Sequence, residues 1–114
     1  MNCLVLGYGY MGKIRTRILR RHPQVRGIRI VDPWIDSVEP ELNGMLVPKG
    51  HEIPWEEMDA VFVCTPNNVT ADLCVEGLRR CGRVFCEKPP GRNWEDFCRI
   101  AEATASIPQH TLVF

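Results

Sequence analysis

A chain of 114 residues with 45% hydrophobic content is the size of one domain and can bury a real core. Fourteen basic residues offset fourteen acidic ones, so no global field recruits nucleic acid or an anionic membrane. No segment approaches the ~20 apolar residues of a bilayer span, and with a strand at the very start no leader peptide is expected, which points to a cytoplasmic protein.

Residues 2–6 read as a first strand, and Gly7-Tyr8-Gly9-Tyr10-Met11-Gly12 follows at once. This is the G-x-G-x-x-G pattern set where a buried strand turns into a helix. Gly7 permits the tight turn, Gly9 lets backbone approach a pyrophosphate, and Gly12 lets helix and strand pack closely. From Met11 to about His22, the residues Met11, Ile14, Ile18 and Leu19 give the apolar stripe of a helix. Its arginines read as a solvated face, and Pro23 supports a stop. A second strand runs through Ile28-Arg29-Ile30-Val31 to Asp32, twenty residues beyond Gly12. An acid at that offset is placed to bond a ribose, so the joined pattern predicts a dinucleotide ligand.

Pro33, Pro40, Pro48 and Pro54 break up the next stretch, so the second crossover helix and third strand are expected to be short, the strand falling near His51–Ile53. Ala60–Cys64 reads as a buried strand, followed by a helix from about Val69 to Cys81 with Leu73, Gly77, Leu78 and Cys81 inward. Val84–Cys86 is the next strand. Asn93 would cap a last helix with Trp94, Phe97, Cys98 and Ala101 facing inward, and Thr111–Phe114 would add one more strand. Strands alternating with helices predict an α/β fold: a Rossmann-type, doubly wound parallel sheet in three layers, with an abbreviated second crossover. The six cysteines sit in apolar runs or at helical spacing, with no C-x-x-C pair, so core packing is expected and metal binding is not.

Two further motifs stand at strand ends: Thr65-Pro66-Asn67 and Glu87-Lys88-Pro89. With the glycine pattern, they resemble the N-terminal domain of the glucose–fructose oxidoreductase / inositol dehydrogenase / MocA family, across essentially all 114 residues. The resemblance implies a nicotinamide cofactor lying over Gly7, Gly9, Tyr10, Met11 and Gly12, with its ribose on Asp32 and its nicotinamide half beside Thr65, Pro66, Asn67, Glu87 and Lys88. It implies that Lys88 is the catalytic lysine, holding the substrate's reacting oxygen as hydride moves. A carboxylate at Asp32 repels a 2′-phosphate, so NAD is expected over NADP. Many family members carry His where this chain has Arg15, and His where it has Thr70. None of His22, His51 and His110 falls at an evident strand end of the cleft.

Family enzymes continue into a second domain that contacts substrate, and residues 1–114 hold none of it. A chain ending on an apolar run looks cut rather than finished. The expectation is thus the cofactor-binding part of a dehydrogenase of sugars, polyols or related alcohols and carbonyls, with little turnover alone. The alternative is a non-catalytic NAD(H) sensor or interaction module. An exposed sheet edge would let the domain self-associate into a homo-oligomer.

Overall fold

Leu4 and Leu6 point to one face of the first strand and Cys3 and Val5 to the other, and all four are buried because both faces of the sheet are covered. This arrangement, seen in a computed structural model describing all 114 residues, accounts for the unbroken apolar runs. The elements are β1 (Asn2–Leu6), α1 (Tyr10–Arg21), β2 (Gly27–Val31), β3 (Ala60–Val63), α2 (Asn67–Arg80), β4 (Arg83–Cys86), α3 (Trp94–Ser106) and β5 (Thr111–Val113). All strands run parallel in the order β2-β1-β3-β4-β5. The chain leaves β1 outward to β2 and returns to β3 on the other side, so the order reverses between β1 and β3. Register keeps the carboxyl ends level: Leu6 lies opposite Val31 and Val63, and Val63 opposite Cys86.

The core is split by the sheet. On one face α2 and α3 bury Leu78, Ile100, Trp55 and Val84 with Leu4, Leu6, Val61 and Val63. On the other, α1 and the segment after β2 bury Leu19, Leu42 and Tyr8 against Cys3, Val5, Ile28 and Ile30. Each large apolar side chain fully buried in this way contributes about 1.5–3 kcal/mol.

The structure corrects three details. In α1 the buried positions are Gly12, Thr16 and Leu19, while Ile18 is 54% exposed. Thr16 takes the inner face because its small side chain lets α1 lie close to the sheet. In α3 the inward residues are Asp96, Ile100 and Ala103, at the i, i+4, i+7 spacing of one helix face, rather than Trp94, Phe97, Cys98 and Ala101. Asn93 does cap the helix, its Oδ1 accepting the Asp96 amide at 2.9 Å. Asp96 then turns inward to accept from the Arg92 amide, which leaves Trp94 and Phe97 outside, stacked at 5.4 Å between centroids.

No strand forms at His51–Ile53. Pro48 and Pro54 lack an N–H to donate, Gly50 takes φ +81°, and the His51 amide folds back onto Pro48 O at 3.1 Å. The edge role passes to Leu46 and Val47. Leu46 makes a single parallel bridge with Ile30, and Val47 N donates to Ile30 O at 2.8 Å. Between Pro33 and Pro54 the only helical turn is the 3₁₀ stretch Pro40–Met45, so the second crossover is abbreviated further than expected. All six cysteines are free thiols.

Candidate functional site

The turn from β1 into α1 is shaped by what its glycines leave out. Gly7 has φ +86°, and a Cβ there would fall 2.8 Å from Cys64 O at the end of β3. A Cβ on Gly12 would collide with Gly7 O, so the helix start rests directly on the turn. Gly9 differs: its Cβ would meet no atom within 4 Å. Gly9 begins α1 without any side-chain cap, and no acidic residue occupies the first turn. The first-turn amides of Tyr10, Met11 and Gly12 precede the intrahelical ladder. Donors, a positive dipole end and an open approach at Gly9 fit a phosphate group.

Asp32 stands beside this turn. Its Oδ2 accepts from Tyr8 N at 2.7 Å and its Oδ1 from Trp34 N at 2.8 Å. Each oxygen keeps a second acceptor position, enough for the two hydroxyls of a ribose. Asp32 lines a cavity of about 700 Å³ together with Gly7, Trp34, Thr65, Pro66 and Asn68. Its far wall is the segment Val47–Gly50 with His51 and Ile53. His51, at no strand end as expected, is an exposed loop residue that also lines the cavity, because the Leu46 bridge carries the following loop over the end of β2.

Gly9, Tyr10, Met11, Gly12, Asn67, Glu87 and Lys88 lie outside this cavity. Tyr10 is 81% exposed at the start of α1, and Asn67 is the exposed first residue of α2. Thr65 is tied to the first turn of α2 through Thr70. The Thr70 hydroxyl lies 3.1 Å from Thr65 Oγ1 and donates toward Thr65 O and Pro66 O at 3.1 and 3.0 Å.

At the end of β4, Lys88 is exposed and forms no ion pair, and its bond to Pro89 is cis. Glu87 is engaged instead by Arg15, whose Nε donates to Glu87 Oε1 at 2.5 Å. The Arg15 guanidinium also covers the Phe85 ring at 4.5 Å. The hydrogen bond to Glu87 holds Arg15 still more firmly protonated. Burial pushes the nearby Cys64 thiol up to about 12, so it carries no nucleophile at neutral pH.

Two contributors escaped the sequence reading. Tyr8 is a strut: its hydroxyl donates to Glu39 Oε2 at 2.8 Å, and burial together with that carboxylate pushes its pKa to about 12. Asn68, rather than its neighbour Asn67, reaches the cavity wall. The doublet at 67–68 was the only sequence signal for it.

The family model described as oxidoreductase family, NAD-binding Rossmann fold, matches residues 1–112. The chain belongs to the Gfo/Idh/MocA oxidoreductase family. Its relatives include myo-inositol 2-dehydrogenase of Thermotoga maritima, 30% identical over 105 residues that cover 88% of this chain and 31% of that protein. The 2,7-anhydro-N-acetylneuraminate hydratase of Mediterraneibacter gnavus is 25% identical over 112 residues, covering 96% of this chain and 29% of the relative. The crystal structure of myo-inositol 2-dehydrogenase from Lactobacillus plantarum superposes with a TM-score of 0.80 over 99% of this chain and 35% of that one. At 17% identity that likeness is one of fold. The chain spans about a third of the length of these relatives. As a Gfo/Idh/MocA domain with an NAD-binding Rossmann fold it binds a nicotinamide dinucleotide.

Proposed function

We propose that the chain is the cofactor-binding part of an NAD-dependent dehydrogenase acting on a sugar, polyol or related alcohol or carbonyl compound. The observation that carries this reading is Asp32: a carboxylate beside the phosphate turn, oriented by two backbone amides, with an acceptor position free on each oxygen. A 2′-phosphate placed against it would meet like charge, so NAD(H) binds in preference to NADP(H). The residues that would hold the dinucleotide are Asp32 for the adenosine ribose, Gly9 with the amides of Tyr10, Met11 and Gly12 for the pyrophosphate, and Thr65, Pro66, Asn67, Glu87 and Lys88 for the nicotinamide half.

When bound, the nicotinamide ring supplies or accepts the hydride. Lys88 is the catalytic residue of this chain: its free ammonium holds the substrate oxygen and stabilises the negative charge that grows there. The proton-transfer group and most substrate contacts come from a second domain, so residues 1–114 alone bind cofactor with little or no turnover.

Calorimetric titration with NAD⁺, NADH, NADP⁺ and NADPH side by side tests the reading. Saturable binding that favours the non-phosphorylated pair is expected. Binding to none of the four by a folded sample would overturn the cofactor assignment, and preference for the phosphorylated pair would overturn the role of Asp32.

A second reading rests on the hydratase among the relatives. Addition of water involves no net oxidation, so the same cofactor site would serve a redox-neutral reaction. Substrate turnover by the full enzyme with no accumulation of reduced nicotinamide would favour it.

A further inference from the structure

The chain has three lysines, and two of them are paired: Lys13 Nζ lies 4.0 Å from Glu39 Oε1 and Lys49 Nζ 2.5 Å from Asp36 Oδ1. Lys88 has no carboxylate within 4.0 Å, although the residue beside it in sequence is Glu87. Glu87 is held elsewhere. Its carboxylate is mostly buried, with 18% of the side chain exposed, and it accepts the Arg15 Nε–H at 2.5 Å. Arg15 is itself fixed from behind, its guanidinium lying 4.5 Å from the centroid of Phe85, which in turn packs on Phe62 at 5.6 Å. The planar guanidinium stacks and donates at once, which an ammonium cannot do as well.

We infer that Arg15 is a positioning residue that takes up the charge of Glu87 and so leaves the Lys88 ammonium free to hold a substrate oxygen. This rests on the reading of Lys88 given above. Without Arg15, a carboxylate with little water around it would sit one residue from the only unpaired lysine. It would draw the ammonium toward itself and away from the cleft. The end of β4 is held independently of that pair, since the Glu87 amide continues the ladder to Val63 O at 3.0 Å.

The direct readout is the reactivity of Lys88, measured by competitive acetylation at about pH 8 and resolved lysine by lysine by mass spectrometry, with Lys49 as internal reference. In Arg15→Met, which keeps the packing on Phe85 but not the charge, Lys88 should slow about threefold or more relative to Lys49, as the released Glu87 carboxylate takes up its ammonium. Arg15→Lys should recover much of the rate, and the double variant Arg15→Met/Glu87→Gln should recover all of it. An unchanged Lys88 rate in a folded Arg15→Met chain overturns the inference. So does a loss that persists in the double variant, since it would mark a merely structural role. Should Arg15→Met fail to fold, Arg15→Gln gives the same readout. Because acetylation needs no cofactor, a chain that binds no dinucleotide would refute the proposed function separately, whatever the Lys88 rates show.

Discussion

The two flanks of the cleft are built by different means. On the β2 side, residues 33–54 form no regular helix or strand, and Leu42 is the only buried residue among them. That flank is held by a few pins: the Asp32 carboxylate takes the amides of Tyr8 and Trp34, Val47 hooks onto Ile30 O, and Glu39 accepts the Tyr8 hydroxyl. On the β4 side, side chains do the holding. Arg15 joins Glu87 and Phe85, Asp96 gathers Arg92 and Arg99, and Arg99 also bonds Asp72 across to α2. A wall of irregular loop depends on a few pins, whereas a wall of charged pairs between helices is more easily altered residue by residue.

The sharpest way to break the whole cleft lies at the turn both flanks share. Gly12→Ala drives a Cβ into Gly7 O, backbone against backbone, with no flexible side chain to give way. A loss of about 4 kcal/mol in urea denaturation is expected, in the upper range for a single substitution, with cofactor binding lost as well. Gly9→Ala meets no protein atom, so the fold should stay within about 1 kcal/mol while the approach of the pyrophosphate is blocked. Equal destabilisation by the two variants would show that the open space at Gly9 is not there.

Leu42→Ala tests the pin of the β2 flank. Removing the one buried side chain of residues 33–54 should cost about 2–3 kcal/mol. Amide exchange should quicken across 40–47 and leave β3, α2 and β4 protected. Ile100→Ala, of similar cost under α3, should loosen the other flank instead. Exchange that speeds up uniformly in both variants would mean the flanks open together, and the contrast between them would fall.

On the proposed reading, Asp32 is where the β2 flank takes the cofactor's ribose. Asp32→Ala should weaken NADH about 10–100-fold, the worth of hydrogen bonds to a charged group, and narrow the preference over NADPH. Side-by-side calorimetry of the two nucleotides checks this. Unchanged selectivity would remove Asp32 from cofactor choice.

Sequence reading reached the strands, the helix order and the glycine turn because their signals are local: an apolar run, a fixed spacing, a residue without Cβ. It failed where the deciding partner is distant. Nothing near residue 51 says that Leu46 will bridge to Ile30. In α3 the partners are near but their pairing is not a matter of apolar character: Trp94 and Phe97 look like core residues, yet a carboxylate takes the inner face because Arg92 and Arg99 donate to it there. Arg15 read as one cation on a solvated helix face, and its engagement with Glu87 spans 72 residues. The dinucleotide motif was legible, but the props that orient it were not.

The smallest effect concerns Asp96. Hydrogen bonds from the Arg92 side chain and then the Arg92 amide hold its carboxyl below the usual carboxylate range. A group whose pKa is lower folded than unfolded adds stability above its unfolded value, near 3.9, and that contribution drains away as pH falls through the folded value. Asp96→Asn keeps the shape and loses the charge. The gap in urea midpoint between the unsubstituted chain and Asp96→Asn should therefore be fullest at about pH 7 and close progressively below about pH 4. A gap that widens on acidification would refute the charge-held loop. If it closes as expected, the loop after Lys88 slackens in acid as Asp96 lets go of Arg92 and Arg99.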